Sequence, residues 1–358
     1  MTRIQDEEPG IPLRGRGAVA NTAGRFEPRR VEAVWDDRDE DSPPPRVPTA
    51  IFVDHARSIL TRNDSPDVPF DVSINPYRGC EHGCSYCFAR ATHSYLSLSP
   101  GLDFETKIFA KPDAPALLRR ELAKPGYRCV PIALGTNTDP YQPVERSMRI
   151  TRGILEVLRE TEHPFSIVTK SAMVLRDLDL IAPAAAAGQA SVLVSITTLD
   201  ARLAASMEPR AASPRRRLDT LRSLAEAGVR CGVLASPMIP GLNDHELEAI
   251  LASAASAGAR CAGYILIRLP HEVKDVFEAW LRSHLPSRAE KVLSLIRQTR
   301  GGKLYDPRFG ARMRGEGPYA ALLARRFAVA CGRLGFSRER PALDTSRFRP
   351  PGRSGRLF

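Results

Sequence analysis

Short apolar runs alternate with longer amphipathic stretches through the middle of this chain, and this alternation constrains its fold more than any other feature. The apolar runs are bounded by turn residues and predict six buried strands, at 71–76, 130–135, 165–170, 192–197, 231–236 and 263–269. The amphipathic stretches predict helices at 116–122, 148–160, 175–187, 215–228, 244–258 and 273–285. Such alternation is typical of an α/β fold, in which helices cover a parallel sheet. Six units predict a partial (β/α)6 TIM-like barrel, because a closed barrel of this kind has eight.

Composition divides the chain into four parts. Residues 1–48 contain few apolar residues, an acidic run and three consecutive prolines, so we expect a disordered or extended N-terminal segment. Residues 49–300 hold the partial barrel. A further helical pattern predicts a C-terminal helical extension over 301–337, and the basic, proline-rich residues 338–358 predict a flexible tail. Both termini are therefore expected to be poorly ordered.

The overall composition argues against several classes of protein. Of the 358 residues, 43% are hydrophobic and 26% are charged, as in an ordinary globular protein. No apolar run is long enough to span a membrane, and the first residues lack the apolar core of a secretory signal. Seven cysteines are too few for a disulfide scaffold in a chain of this length, so a cytoplasmic location is expected.

The net charge of +11 leaves two interpretations open. It favours a polyanionic partner such as nucleic acid, to which the basic stretches 215–217 and 300–315 would contribute. Arginines on solvated helix faces explain the same charge equally well. Nucleic acid is therefore a candidate partner that the charge alone does not establish.

Three cysteines, Cys80, Cys84 and Cys87, lie in one short loop with the spacing C-x3-C-x2-C. The loop follows the first predicted strand, so we expect it at the carboxyl edge of the sheet, where α/β proteins carry their active sites. Thiolates at this spacing suit an iron–sulfur cluster, and three ligands leave one iron of a four-iron cluster open. The alternatives are a zinc ion with His82 or His93 as its fourth ligand, and three buried thiols without a metal.

Other polar residues are predicted at the same edge of the sheet. Residues 136–139 follow the second strand, Lys170 ends the third, and Ser195 lies in the fourth. Polar groups that converge from several strands suit a cofactor site. Within this set, Asp139 either orients a substrate or closes an Asx turn in the proline-rich segment 139–143.

With Tyr86 before its last cysteine, the loop resembles the cluster-binding motif of the radical S-adenosylmethionine (SAM) superfamily. Other segments resemble the spore photoproduct lyase-like branch of that superfamily, and more closely an uncharacterised bacterial group within the branch. They are SINPYRGCEHGCSYCFAR (73–90), TNTDPYQPVE (136–145), TKS (169–171), SITTLD (195–200), EPRAASPRRRL (208–218), SPMIPGLND (236–244) and RLPHEVKD (268–275). The resemblance extends from about residue 70 to about residue 335.

This resemblance implies an enzyme that binds a [4Fe–4S] cluster and SAM. Cys80, Cys84 and Cys87 would bind iron, and the methionine end of SAM would bind the open iron. A reducing electron donor of flavodoxin or ferredoxin type would drive cleavage of SAM to a 5′-deoxyadenosyl radical, which abstracts hydrogen from an unknown substrate.

The resemblance also implies the residues that surround SAM. Tyr86 would border the cofactor, Asn137 would lie near its amino group, Lys170 near its carboxylate and Ser195 near its ribose. Glu208 would either anchor a loop over the cofactor or pair with Arg210.

Two other functions stay open as alternatives. One is a DNA-lesion repair lyase related to spore photoproduct lyase. Those lyases carry a cysteine, at the position of Thr136, that returns hydrogen to the product radical, and a threonine O–H bond is too strong for that donation. Cys129, Cys231, Cys261 and Cys331 are expected to be buried small apolar residues instead. The other alternative is a non-catalytic regulatory protein that binds the cluster and SAM without turnover.

Overall fold

The computed structural model of the chain describes residues 12–26, 47–337 and 342–352. Its strands are β1 (Ala50–Val53), β2 (Leu60–Arg62), β3 (Val72–Ile74), β4 (Tyr77–Arg78), β5 (Lys107–Ala110), β6 (Ile132–Leu134), β7 (Phe165–Thr169), β8 (Ala190–Ser195), β9 (Cys231–Met238) and β10 (Cys261–Leu266). Its α-helices are α1 (Leu102–Thr106), α2 (Ala114–Leu122), α3 (Glu145–Met148), α4 (Ile150–Glu160), α5 (Leu178–Ala186), α6 (Ala201–Met207), α7 (Pro214–Glu226), α8 (Leu247–Ser256), α9 (Val273–His284), α10 (Pro286–Gln298), α11 (Ala311–Arg314) and α12 (Gly317–Leu334). The 3₁₀ helices are Phe88–Leu96, Ala172–Asp177 and Asp244–Glu246.

Seven strands form the main sheet, in the order β10-β9-β8-β7-β6-β3-β2. All neighbouring pairs from β3 to β10 are parallel, and β2 is antiparallel to β3. Because β2 and β10 end the sheet, the barrel is open within the part of the chain that the structure describes. The predicted α/β class and partial barrel are confirmed, and each of the six predicted strands overlaps β3 or one of β6 to β10.

The two faces of the sheet differ in how far they are buried. Val192 and Val194 of β8 are fully buried and pack with Leu221 of α7 and Ile250 of α8 in the main core. Leu193, between them, is only half-buried, and the same alternation occurs in β7. Side chains of successive strand residues point to opposite faces, so the half-buried face lines the open interior of the barrel.

A second, three-stranded sheet was not predicted. β5 pairs in parallel with β1 and antiparallel with β4, which leads directly into the cysteine loop. All four residues of β1 are exposed, so the strand lacks the alternating burial that marks a strand in sequence. Its pairing with a strand more than fifty residues away is a tertiary effect.

Part of the N-terminal segment departs from the expected disorder. Residues 12–26 pack onto the cysteine loop, with Leu13, Ala18 and Val19 buried. Besides burying these apolar side chains, the segment has backbone amides that find hydrogen-bonding partners in the folded protein. The other residues of the expected N-terminal segment, 1–11 and 27–46, lie outside the described part of the chain.

At the C-terminal end, part of the expected flexible tail packs against the rest of the fold. The helix α12 packs against α8, and Arg326 Nε donates to Glu248 Oε1 at 2.7 Å. We propose that residues 301–337 form a helical extension of a barrel that spans 49–300. Within the expected flexible tail, the ring of Phe348 packs 5.5 Å from Tyr127 and 5.1 Å from His163. Residues 338–341 and 353–358 of that tail lie outside the described residues. No helix in the described ranges is long and apolar enough to cross a membrane.

Candidate cofactor site

The cysteine loop leaves β4 and lies at the carboxyl edge of the main sheet. Cys80 and Cys84 are each 7% exposed, and Cys87 is half-buried just before the 3₁₀ helix Phe88–Leu96. Gly83 has a φ of 67°. A side chain there would also meet the Glu105 carboxylate, since a Cβ would lie 2.6 Å from Oε2. Glycine is therefore required for the tight path between Cys80 and Cys84.

The three thiols share an electrostatic environment that a metal cluster would suit. Burial, and then the carboxylate of Asp139 and the other two thiolates, raise the pKa of Cys80. Burial and Glu208 raise the pKa of Cys84 to about 12, although Lys170 acts in the opposite direction. The three thiols therefore stay protonated unless positive charge is added, and a bound metal would supply that charge and hold them as thiolates. The donor set fits an iron–sulfur cluster, which thiolates bind.

A zinc site finds less support in this arrangement. His82 Nδ1 lies 3.4 Å from Asp139 Oδ2, and His93 Nε2 lies 3.1 Å from the Lys107 carbonyl oxygen. One ring nitrogen of each imidazole thus has another partner. Among the residues that the structure describes, no three His, Cys, Asp or Glu side chains are grouped closely enough to hold a single metal ion.

Two clamps missed by the sequence interpretation fix the path of the loop. The fully buried Gln142 accepts a hydrogen bond from the Glu81 amide at 2.8 Å and donates one to the Gly79 carbonyl at 3.1 Å. Glu81 also pairs with Arg210 at 2.8 Å. Arg210 was one expected partner of Glu208, and that expectation is wrong because Arg210 reaches the cysteine loop instead.

Asp139 joins three elements at the sheet edge. Its Oδ1 accepts hydrogen bonds from the Tyr141 amide at 2.9 Å, which closes an Asx turn, and from the Thr169 hydroxyl at 2.7 Å. Its Oδ2 accepts one from the Lys170 amide at 2.7 Å. Burial raises the pKa of Asp139, but the His82 imidazole and the donated hydrogen bonds outweigh that effect and hold it at about 2. The ionised carboxylate therefore fixes the backbone that carries Lys170.

The residues implied for SAM lie on neighbouring strand ends. Lys170 follows β7, and its Nζ donates to Ser195 Oγ at the end of β8, at 3.0 Å. The same ammonium lies 5.8 Å from the centre of the Tyr86 ring. Asn137 follows β6, the strand next to β7 in the sheet. Its backbone N–H donates to Asn75 Oδ1 at 3.1 Å. The fold thus brings Tyr86, Lys170 and Ser195 together, with Asn137 on the adjacent loop.

Glu208 lies at the centre of a buried network behind these residues. It accepts hydrogen bonds from the Tyr86 hydroxyl, from Thr197 Oγ1 at 2.6 Å, and from Arg217 Nη2. Arg217 also donates to the Ser195 carbonyl at 3.0 Å. Burial raises the pKa of Glu208, but the positive charges of Arg217 and then Lys170 outweigh that effect and hold the pKa at about 2. The network therefore holds an ionised pair that fixes the Tyr86 ring and the end of β8.

Arg217 was interpreted as part of a basic stretch on a solvated face or against nucleic acid, and that interpretation is wrong. The residue is only 1% exposed, whereas Arg215 and Arg216 are exposed. The sequence did contain a signal: positions 214, 217, 221 and 224 form one helical face, and all four are buried.

Thr136 is half-buried on the loop after β6. Of the other cysteines, Cys231 is buried as expected, with its Sγ 3.7 Å from the Leu221 carbonyl oxygen. Cys129, Cys261 and Cys331 are half-buried, so the expectation that they are buried is wrong for these three.

Comparison with known proteins identifies the family. Residues 74–254 match the model of the radical SAM superfamily. The chain belongs to the radical SAM superfamily. This radical SAM protein is 38% identical over 233 residues to an uncharacterised protein of Mycobacterium tuberculosis, covering 64% of this chain and 68% of that one. It is 31% identical over 173 residues to an uncharacterised protein of Methanocaldococcus jannaschii, covering 48% and 62%.

Solved structures of spore photoproduct lyase share the fold of this radical SAM protein. A mutant of that lyase matches with a TM-score of 0.56 and 18% identity, over 80% of each chain. The lyase complexed with dinucleoside spore photoproduct matches with the same values. Family and fold together make the protein a radical SAM enzyme with an unknown specific reaction, and its fold is shared with spore photoproduct lyase.

Proposed function

We propose that Cys80, Cys84 and Cys87 bind a [4Fe–4S] cluster and that the enzyme cleaves SAM reductively to abstract hydrogen from a substrate. The observation that carries this proposal is the placement of three clustered thiols, two buried and one half-buried, near Lys170 at the carboxyl edge of the sheet in a chain of this family. When bound, the cluster supplies one electron to the sulfonium of SAM, which breaks the S–C5′ bond to give methionine and a 5′-deoxyadenosyl radical.

The chain's own residues bind and orient SAM in this proposal. The Lys170 ammonium pairs with the carboxylate of SAM, and Ser195, its hydrogen-bonding partner, contacts the ribose. Asn137 contacts the amino group from the adjacent loop. Tyr86 borders the same site with its ring, and its hydroxyl is held by Glu208 and Thr197. An electron donor of flavodoxin or ferredoxin type is the proposed protein partner.

Anaerobic incubation of the iron-loaded protein with SAM and dithionite is expected to yield 5′-deoxyadenosine, measured by liquid chromatography. A Lys170→Met variant should bind SAM roughly tenfold or more weakly, because it loses a charge-assisted hydrogen bond to the carboxylate. Lys274→Met provides the control, since Lys274 is exposed on α9.

Equal SAM affinity in the Lys170→Met and Lys274→Met variants would contradict the assigned role of Lys170. Binding of SAM without any 5′-deoxyadenosine would contradict the proposed reaction and support the regulatory alternative.

A second candidate function, action on a nucleic-acid lesion, is favoured by two arginines near the carboxyl end of β10. Arg268 lies 4.8 Å from the ring centre of Phe88, which directly follows Cys87. Burial, and then the Arg268 guanidinium, lower the pKa of Arg300 to about 10, so the two positive charges are close together. Neither arginine forms a salt bridge with a described residue, and the Nε atom of each is buried without a hydrogen-bonding partner.

The carboxylates of Asp67, Asp306 and Glu316 act on these two arginines without forming salt bridges to them, so an anionic ligand would still be attracted, and a substrate phosphate would serve. The solved lyase in complex with dinucleoside spore photoproduct is consistent with such a substrate for this branch. Thr136 argues against a reaction that uses the lyase's own hydrogen donor.

An Arg268→Gln variant is expected to bind a fluorescent single-stranded oligonucleotide roughly fivefold to tenfold more weakly than the wild type at low salt. Arg333→Gln is the matched control, because Arg333 is exposed on α12. Fluorescence anisotropy measures both affinities across a salt series. Absence of binding at low salt would remove the nucleic-acid candidate.

A further inference from the structure

Residues 12–26 lie across the outer side of the cysteine loop, and we call this segment the N-terminal cover. The backbone amides of Gly17 and Ala18 donate to the two carboxylate oxygens of Glu105, at 2.9 and 2.8 Å. Arg16 Nη1 donates to the Glu105 carbonyl oxygen at 2.9 Å. Glu105 is completely buried, so these hydrogen bonds form away from water and hold the cover in one position.

The same carboxylate connects the cover to the backbone between two proposed iron ligands. Arg90 is completely buried and pairs with Glu105. Its guanidinium also donates to the Gly83 carbonyl at 3.1 Å and to the Cys84 carbonyl at 2.8 Å. Movement of the cover would therefore leave a buried carboxylate with fewer donors and disturb the loop at Cys84.

Gly17 makes the closest contact between the cover and the loop. A Cβ at this position would lie 1.7 Å from the Gly83 carbonyl oxygen, far inside van der Waals contact. The obstacle is backbone and has no flexible end that could move aside. Gly17 is not among the residues with positive φ, so space rather than backbone conformation requires glycine.

The rest of the cover is attached on both sides of this contact. Asn21 and Asp103 exchange two hydrogen bonds, at 3.3 and 3.2 Å, at the start of α1. Arg25 forms an ion pair with Glu272 at 2.7 Å, next to the start of α9. The cover therefore extends from the cysteine loop to the helix that follows the last strand.

We propose that the N-terminal cover shields the cysteine loop from water, oxygen and chelators, and that Gly17 allows the cover to pack closely against the loop. The inference rests on the iron–sulfur site of the proposed function. Loss of a cluster to oxygen or to a chelator needs access to the loop, and local opening of the cover would control that access. The cover is thus a positioning and protecting element outside the barrel.

The test compares Gly17→Ala with Gly332→Ala, since an added Cβ at Gly332 on α12 meets nothing within 4 Å. Both iron-loaded variants are exposed to air and a chelator, and the cluster absorbance is followed with time. Gly17→Ala should lose its cluster roughly tenfold faster than the wild type, and Gly332→Ala within about twofold of it. Far-UV circular dichroism checks that both variants are folded. Equal rates of loss in the two variants would overturn the proposal.

Hydrogen exchange measured by mass spectrometry provides a readout that needs no cluster chemistry. The peptide spanning 12–26 should be protected in the wild-type protein and exchange faster in Gly17→Ala. An unprotected peptide in the wild type would overturn the proposal, even if the cluster is bound normally. A wild-type protein that binds no cluster would contradict the proposed function and this inference together. Equal cluster loss in the two glycine variants contradicts the inference alone.

Discussion

A Cys84→Ala variant is expected to lose its iron–sulfur absorbance and to form no measurable 5′-deoxyadenosine. Cys84 is one of three proposed ligands, and the two remaining thiols cannot hold a cluster with a single open iron. Changes to groups that merely support a metal ligand typically lower metal affinity or activity by roughly 10- to 100-fold, so removal of a ligand itself should lower them more. Iron content, the absorbance spectrum and chromatography of 5′-deoxyadenosine measure the outcome.

The matched control is Cys331→Ala, which removes a half-buried thiol on α12. This control should retain a full complement of iron and normal SAM cleavage. A complete cluster in Cys84→Ala would refute the ligand assignment, and iron loss from Cys331→Ala would show that the effect is not specific to the loop.

An Arg217→Met variant should lower the free energy of unfolding by about 3–5 kcal/mol, because it leaves the buried Glu208 carboxylate without its charged partner. Arg217 and Glu208 side chains are 1% and 0% exposed, so water cannot replace the lost interaction. Urea unfolding of the metal-free, reduced protein measures the change.

Arg222→Met is the matched control for this variant. Arg222 pairs with Asp219 at 2.7 Å on the same helix, but the two side chains are 53% and 42% exposed. Exposed pairs of this kind contribute about 0–1 kcal/mol, so the control should be close to wild type. Similar losses in the two variants would mean that the Glu208 network does not stabilise the fold as described.

Much of the fold could be predicted because its signals are local. Each strand of the main sheet after β2 is short, apolar and bounded by turn residues, and a parallel sheet brings the carboxyl ends of its strands to one edge. That topology was enough to predict that Lys170 and Ser195 would be close to each other and near the loop of Cys80, Cys84 and Cys87. The 3.0 Å contact between Lys170 and Ser195 agrees with this reasoning.

The supporting contacts could not be predicted, because their partners are distant in sequence and follow no period. The Ala18 amide and the Glu105 carboxylate are 87 residues apart, and the Glu81 amide and Gln142 are 61 apart. One of the two interpretations of Glu208 paired it with Arg210, its neighbour in sequence, whereas the partner in the structure is Arg217 on the buried face of α7. The expected disorder of residues 1–48 does not hold for 12–26, because composition does not reveal backbone hydrogen bonds to a distant carboxylate.

The sequence by itself determined the α/β alternation, the cysteine spacing that suits an iron–sulfur cluster, and the edge of the sheet at which the polar residues meet. These properties depend on spacing along the chain. Only the tertiary structure decided that Glu208 is neutralised by Arg217, that Asp139 fixes the Lys170 backbone, and that residues 12–26 close over the cysteine loop. Buried polar groups must find partners wherever the folded chain brings them, and that choice is made in three dimensions.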